Sequence, residues 1–231
     1  ARLRMAGIEA MESAPMITPA QDLLWMGVFG QDASAVEGPR PGGIILFARN
    51  LDPDPALGPA RCHALLRDLQ ARWGAERPLA VALDQEGGPV SRLRVWTGPT
   101  PALRQIWLQG GPAACEAWGR LWGCGLALLG FNVDFAPVCD CWDGHPGTGL
   151  GDRCASADPL EVACAAGAFL HGLEGQGVRG CLKHFPGLGG THVDSHRGLP
   201  ELADPAQVLR NLQACRPLAQ ADRLIMVAHL R

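Results

Sequence analysis

Short apolar runs alternate with amphipathic stretches along most of this chain. The apolar runs have the length of strands and lack the strict alternation of a half-exposed strand, so they predict strands that are buried on both faces. Six strands are predicted, at 24–30, 43–47, 79–83, 132–138, 178–182 and 224–228.

Amphipathic helices are predicted between these strands. The helical segments cover 59–73, 112–129, about 159–173, and a stretch that begins at 205. Two of them open with an Asp-Pro pair, Asp158-Pro159 and Asp204-Pro205. Asp is a good N-cap and Pro suits the first helical position, while Glu161 would complete a start that resembles a capping box.

Strands that alternate with helices predict a parallel sheet, either an open doubly wound sheet or a (β/α)₈ TIM barrel. No Gly-x-Gly-x-x-Gly motif follows the first strand, which argues against a dinucleotide-binding sheet. Polar clusters follow at least four strands, as is typical of barrels: at 49–50, 84–86, 140–153 and 183–196. A barrel needs eight strands and roughly 250 residues. We therefore expect a barrel that lacks its last two β/α units in this chain.

Composition and charge narrow the class of protein. The chain has 231 residues and a formal net charge of -3 without long charged runs, so nucleic acid and membrane surfaces are not expected partners. Residues 1–23 are predicted to be an N-terminal extension and lead-in, and 24–231 a single barrel domain. Nine cysteines without a framework spacing indicate reduced thiols, and hence a cytoplasmic protein.

One group of potential metal ligands stands out. Cys139, Asp140 and Cys141 lie near His145 and Cys154 in the sequence, but their spacing matches no common zinc motif. Buried, reduced thiols are the favoured interpretation. We therefore expect neither a metal nor an organic cofactor.

The densest group of titratable residues lies between Lys183 and Pro200. Within it, Asp194 precedes His196 by two residues, and residues at that spacing project to the same side of an extended loop. The carboxylate could then fix one ring nitrogen and leave the other free to transfer protons, which suits a histidine with an ordinary pKa near ~6.5. The spacing alone is equally compatible with a solvated histidine near an aspartate.

Several motifs together resemble glycoside hydrolase family 3, and more narrowly the bacterial β-N-acetylglucosaminidases of peptidoglycan recycling. The resemblance is carried by Lys183-His184-Phe185-Pro186-Gly187 with Asp194-Ser195-His196, and by Asp84-Gln85-Glu86-Gly87-Gly88 with Arg92. Further segments that are similar to the family follow one another in order, at 43–50, 132–137, 151–153 and 226–229.

This resemblance implies a (β/α)₈ barrel that removes a terminal β-linked N-acetylglucosamine with retention of configuration, from muropeptide or chitooligosaccharide fragments. The residues implied to hold the sugar are Asp84, Arg92, Arg153, Lys183 and His184. A plain salt bridge between Asp84 and Arg92 is the alternative for that pair. The sequence leaves the oligomeric state open.

The resemblance also implies catalytic roles. His196 would be the acid/base and Asp194 its assistant, whereas Glu86 would be a structural hydrogen-bonding group beneath the site. His192 has no role that the family assigns, and we expect a solvent-exposed loop residue there.

The chain departs from the family in three respects. The family nucleophile is an Asp at the end of the seventh strand, and no residue of this chain can be assigned to it. Pro89 stands where an Arg is usual, and Leu188 where a His is usual. These departures keep two alternatives open, a non-catalytic sugar-binding or scaffolding homologue and, with less support, a metal-dependent barrel hydrolase that uses His and Asp ligands.

Overall fold

The computed structural model describes residues 20–33, 38–75, 77–142, 144–145 and 148–231. Most of the predicted N-terminal extension therefore lies outside the described residues. Its last part forms a 3₁₀ turn over Ala20–Leu23, which leads directly into the first strand.

The described residues contain eight strands. They are β1 (Trp25–Gly27), β2 (Gly43–Ile45), β3 (Ala80–Leu83), β4 (Gln85–Gly87), β5 (Val90–Ser91), β6 (Val133–Asp134), β7 (Arg179–Phe185) and β8 (Leu224–Val227). Six of them form one sheet in the order β1-β2-β3-β6-β7-β8, with all neighbours parallel. This order never reverses along the chain, as it would in a doubly wound sheet, so that alternative is wrong.

The sheet is curled. The rings of Trp25 in β1 and Phe135, just after β6, lie 5.9 Å apart although β2 and β3 separate the two strands in the sheet. A cavity of about 250 Å³ opens on this concave side between Trp25, Phe135 and residues of β7 and β8. Among the described residues β1 and β8 each pair with a single neighbour, so the sheet is a half-barrel.

Helices cover the convex face of the sheet. They are α1 (Gly58–Trp73), α2 (Arg94–Thr97), α3 (Leu103–Leu129), α4 (Pro159–Glu174) and α5 (Pro205–Cys215). The main core lies between helices and strands and includes Leu66, Val81, Ile106 and Phe169, all almost completely buried. Helices α3 and α4 approach so closely that a Cβ at Gly172 would overlap with the carbonyl oxygen of Glu116.

The four predicted helices are present, and α3 is longer than predicted. It begins at Leu103, and its backbone leaves helical geometry at Gly110 and Gly111 before Pro112 opens the predicted half. The N-caps are also present, since Asp158 accepts from the Leu160 N–H and Asp204 from the Ala206 N–H.

The predicted capping role of Glu161 is wrong. Its carboxylate lies 2.6 Å from Oγ of Ser156, and the Asp158 N–H donates to that same hydroxyl at 3.1 Å. The Asp158 N–H is the donor that a capping glutamate would bind, and here it donates to the Ser156 hydroxyl instead.

The fourth and fifth predicted strands differ in length from the structure. In β6 the regular ladder ends at Asp134, and Pro137 has no N–H to continue it. In β7 the ladder runs on to Phe185, so Lys183 and His184 lie within the strand and not after it. The short β4–β5 hairpin, which holds Pro89 in its exposed turn, was not predicted from the sequence.

The cysteines of the described chain are unpaired. Cys139 and Cys141 pack in an apolar cluster with Val162, Leu182 and Cys215. Burial raises the pKa of the Cys141 thiol to about 11, which disfavours the thiolate that metals bind. Over the described residues, no three His, Cys, Asp or Glu side chains are grouped so that they could hold a metal ion.

Helix length and hydropathy bear on membrane insertion. No helix in the described ranges combines the length and the apolar character needed to cross a membrane.

Candidate active site

A cavity of about 350 Å³ lies at the carboxyl ends of the strands. Its charged and imidazole-bearing wall comes from five separate parts of the chain. The titratable side chains that line it are Asp84, Glu86, Arg92, Arg153, Lys183, His184, His196 and His229. The apolar part of the wall includes Phe47, Phe135 and Leu188.

Lys183 is at the centre of this wall. Its Nζ lies 2.8 Å from Oδ1 of Asp84 and 2.5 Å from Oε1 of Glu86, and its side chain is 2% exposed. Arg92 reaches the other oxygen of Asp84 at 3.2 Å. An ammonium has three donors, so two carboxylates leave Lys183 one N–H for a ligand.

Glu86 joins Lys183 to a second cation. Arg153 donates to Glu86 from Nε at 2.8 Å and from Nη2 at 2.9 Å, a bidentate pair. Its Nη1 donates to the carbonyl oxygen of Gly149 at 3.2 Å. These contacts use three of the five guanidinium donors, and the other two are available at the cavity.

The network holds its members in their charged forms. Burial alone would raise the pKa values of Asp84 and Glu86, but the Lys183 ammonium, helped by Arg92 and Arg153 respectively, keeps both below their usual values. Burial alone would lower the pKa of Lys183, but Glu86 and Asp84 hold it above its usual value. The cavity therefore offers fixed charges of both signs.

A buried acid supports the two carboxylates from below. Asp134 is fully buried, and its Oδ1 accepts the backbone N–H of Gln85, the residue between Asp84 and Glu86, at 2.9 Å. Its Oδ2 has no hydrogen-bond partner among the described residues. Burial raises the pKa of Asp134 well above its usual value, since the single hydrogen bond and Lys183 do not compensate for the lost solvation.

His184 is held by a second buried acid. Its Nδ1 lies 2.6 Å from Oδ2 of Asp140, whose Oδ1 accepts the Leu188 N–H at 2.7 Å. Asp140 is fully buried, while the imidazole borders the cavity. The sequence placed Asp140 in a polar loop and offered it only as a potential metal ligand, a role that was not favoured.

Asp194 and His196 are in contact, as the spacing predicted, but through a turn and not an extended loop. Oδ1 of Asp194 accepts the backbone N–H of His196 at 2.9 Å and lies 3.0 Å from its Nδ1. These bonds lower the pKa of Asp194. The imidazole is 85% exposed and lines the cavity, whereas the carboxylate lies behind it.

The loop between His184 and His196 is anchored at its glycines. Asn211 of α5 is fully buried and donates to the carbonyl oxygens of Gly187 and Gly189 at 3.1 and 2.9 Å. Gly187 has a φ of +124°, which a side chain rarely adopts. The sequence did not indicate this role for Asn211.

Of the two residues that depart from the family motifs, Pro89 and Leu188, only Leu188 lines the cavity. Pro89 is exposed and does not line the cavity, whereas Leu188 does and packs with Val138, Leu150 and Cys154. His192 is exposed outside the cavity, and its ring lies 4.4 Å from that of His145.

A curled parallel sheet with charged side chains at the carboxyl ends of its strands is the arrangement typical of the β/α-barrel class. The sequence matches the family described as "Glycosyl hydrolase family 3 N terminal domain" over residues 23–231. The chain belongs to glycoside hydrolase family 3.

Relatives in this family are similar over most of the chain. A beta-hexosaminidase from Pseudomonas aeruginosa (strain LESB58) is 36% identical over 207 residues, which are 87% of this chain and 58% of that protein. Beta-hexosaminidase LpqI from Mycobacterium tuberculosis is 41% identical over 163 residues, 68% of this chain and 42% of that protein. The chain thus spans less than two thirds of the length of these relatives.

Solved structures share the fold. NagZ from Neisseria gonorrhoeae in complex with N-trifluoroacetyl-D-glucosamine aligns with a TM-score of 0.77 at 29% identity, over 90% of this chain and 62% of that one. LpqI from M. tuberculosis aligns with a TM-score of 0.79 at 33% identity, over 93% and 63% of the two chains.

Proposed function

We propose that the complete protein removes terminal β-linked N-acetylglucosamine from muropeptide or chitooligosaccharide fragments, with retention of configuration. The observation that carries this proposal is that the Lys183 ion-pair network and the His196 imidazole border one cavity. The family and the relatives that are beta-hexosaminidases support the reaction class. A complex of NagZ with an N-acylated glucosamine supports the class of sugar.

In this proposal the charged wall holds the sugar ring. Asp84 accepts from sugar hydroxyls, and the unused donors of Arg92, Arg153 and Lys183 bind sugar oxygens. His184 supplies a further contact. Hydrogen bonds to charged groups orient a hydroxylated ring strongly, and an epimer that leaves one of them unpaired in the cavity is rejected.

His196 carries the protons. In the first step the glycosidic C–O bond breaks, and the protonated imidazole gives its proton to the leaving oxygen while a carboxylate nucleophile bonds to the anomeric carbon. In the second step water attacks that carbon, and its proton passes to the neutral imidazole as the bond to the carboxylate breaks. Asp194 holds the ring in place through Nδ1. No step requires a metal or organic cofactor.

The nucleophile and the closing strands are a separate proposal. The family resemblance implies an Asp nucleophile on a seventh strand, and the relatives are longer than this chain. We propose that residues 24–231 are one barrel domain whose last two β/α units and nucleophile belong to the complete gene product. Sequencing that gene product tests this, and an open reading frame without such an Asp-bearing strand would defeat it.

The cysteines bear on the compartment of the protein. We propose a cytoplasmic protein, because all nine cysteines are unpaired and a reducing compartment keeps them so.

The activity is tested with the full-length protein and p-nitrophenyl β-N-acetylglucosaminide. Release of p-nitrophenol, with the β-anomer of N-acetylglucosamine as first product by NMR, would support the proposal. Calorimetric binding of N-acetylglucosamine without turnover at several pH values would instead favour a sugar-binding homologue. The replacement of a usual His by Leu188 at the cavity wall is the feature that motivates this second candidate.

A further inference from the structure

The Asp140 carboxylate has two hydrogen-bond partners and is inaccessible to solvent. Asp140 follows β6 and is fully buried, with Oδ2 at 2.6 Å from Nδ1 of His184 and Oδ1 at 2.7 Å from the N of Leu188. Each carboxylate oxygen therefore has its own partner. The two partners are four residues apart, one inside β7 and one in the loop that follows it.

The contact with an ionised Asp140 determines which ring nitrogen of His184 carries a proton. An ionised carboxylate only accepts hydrogen bonds, and the Leu188 N–H only donates. With Asp140 ionised, the 2.6 Å contact to Oδ2 therefore requires a proton on Nδ1 of His184. In a neutral imidazole the proton on one nitrogen leaves the other as an acceptor, so Nε2 carries a free lone pair.

We propose that Asp140 is a positioning residue that holds His184 as the Nδ1–H tautomer, so that Nε2 accepts a hydrogen bond from a hydroxyl of the bound sugar. This rests on the proposed function, because it assigns a role within the same sugar site. His184 borders the cavity next to Lys183, whose free N–H is a donor. Lys183 and His184 then offer the sugar one hydrogen-bond donor and one acceptor.

The other carboxylate oxygen of Asp140, Oδ1, connects His184 to the loop that follows β7. Through the Leu188 N–H it ties the imidazole to the loop that runs on to Asp194 and His196. The same loop is fixed at Thr191, whose hydroxyl donates to the carbonyl oxygen of Leu188 at 2.7 Å. One carboxylate therefore sets the sugar-binding imidazole and the start of the catalytic loop relative to each other.

The tautomer is measured by long-range ¹H–¹⁵N NMR of the full-length protein with ¹⁵N-labelled histidine, at alkaline pH, where an ordinary imidazole is neutral. The His184→Gln variant assigns the signal. The wild type is expected to show the Nδ1–H pattern at His184. The Nε2–H pattern would overturn the proposal. Because the tautomer is measured on the wild type, this test does not depend on whether an Asp140 variant folds.

The role of Asp140 is tested with Asp140→Leu, which keeps the approximate volume and removes both acceptors. The expected result is loss of the Nδ1–H pattern at His184 and roughly tenfold weaker N-acetylglucosamine binding by calorimetry. The matched control, Asp194→Leu at the other Asp–His pair, should leave the His184 signals unchanged. Unchanged signals and affinity in Asp140→Leu would overturn the proposal.

The two proposals can fail separately. A wild type that shows the Nδ1–H pattern but neither binds nor hydrolyses N-acetylglucosaminides would overturn the proposed function and the sugar contact, while the tautomer assignment would stand. A wild type that hydrolyses the substrate but shows the Nε2–H pattern would leave the function and remove the role of Asp140.

Discussion

The ammonium of Lys183 lies 2.8 Å from the carboxylate of Asp84, although 99 residues separate them in the chain. Lys183 belongs to β7 and Asp84 follows β3, and β6 lies between the two strands in the sheet. The contact depends on the curl of the sheet, which turns the carboxyl ends of these strands toward one cavity. It is the centre of the charged wall on which the proposed sugar site depends.

Replacing Lys183 by Met is expected to destabilise the fold by about 3–5 kcal/mol, because it leaves Asp84 and Glu86 buried without their shared cation. Urea unfolding followed by circular dichroism measures this. The control is Arg67→Met, which removes an exposed pair with Asp68 and should change stability by less than about 0.5 kcal/mol. A loss below about 1 kcal/mol for Lys183→Met would contradict the network.

Asp134→Asn is expected to become more stabilising, relative to the wild type, as pH rises. Folded Asp134 has a raised pKa, so its contribution is fully present below the unfolded pKa of ~3.9 and is lost as pH rises from there toward the folded pKa. Asn keeps the acceptor for the Gln85 N–H and never ionises. At pH values above the folded pKa, each unit by which folding raises the pKa of Asp134 destabilises the wild type by about 1.4 kcal/mol, a loss that the Asn variant avoids.

The measurement is urea unfolding of both proteins between pH 4 and pH 8. Lys183, Asp84 and Glu86 are present in both proteins, so most of their own pH dependence cancels, and the remaining difference reports on Asp134 and its coupling to them. A stability difference that is constant over this range would show that the folded carboxyl of Asp134 has an ordinary pKa.

Gly189→Ala is expected to cost about 1–3 kcal/mol and to reduce any activity, because the new Cβ would overlap with the carbonyl oxygen of Cys141 and displace the loop. Gly125→Ala in α3 is the matched control. Its Cβ would meet open space, so stability should stay the same or rise by up to about 1 kcal/mol. Equal effects of the two substitutions on thermal unfolding would argue against a tightly anchored loop.

His196→Ala in the full-length protein is expected to lower kcat on p-nitrophenyl β-N-acetylglucosaminide by at least ~100-fold, the usual contribution of a general acid/base. Binding of N-acetylglucosamine should weaken by less than about threefold, since the sugar contacts are on other residues. His192→Ala removes an exposed imidazole that does not line the cavity, and activity should stay within about twofold. Equal losses in both variants would remove His196 from the mechanism.

The sequence predicted the order of strands and helices well because apolar runs and Asp-Pro caps are local signals. It wrongly ended the fifth strand at Leu182, before Lys183 and His184, because charged residues break the apolar pattern of a buried strand. Carboxylates from distant segments hold them within the strand: Asp84 and Glu86 pair with the buried Lys183, and Asp140 pairs with the partly buried His184.

The same limit applies to the supporting residues of the site. Asp134, Asp140 and Asn211 act through contacts with residues 22 to 49 positions away. Asp134 lies in a segment that resembles the family and Asp140 in a group of potential metal ligands, but neither pattern indicates these contacts, and nothing in the sequence around Asn211 does. The motifs indicated the residues of the cavity wall and a supporting role for Glu86, whereas the supporting roles of Asp134, Asp140 and Asn211 are visible only in the fold.

The most direct test of the account is a crystal structure of the protein with N-acetylglucosamine. We expect one sugar in the cavity, with its hydroxyls within hydrogen-bond distance of Asp84, Lys183 and Nε2 of His184, and with its anomeric oxygen toward His196. A sugar bound elsewhere, or an empty cavity at saturating concentrations in crystals that leave the cavity open to solvent, would contradict it.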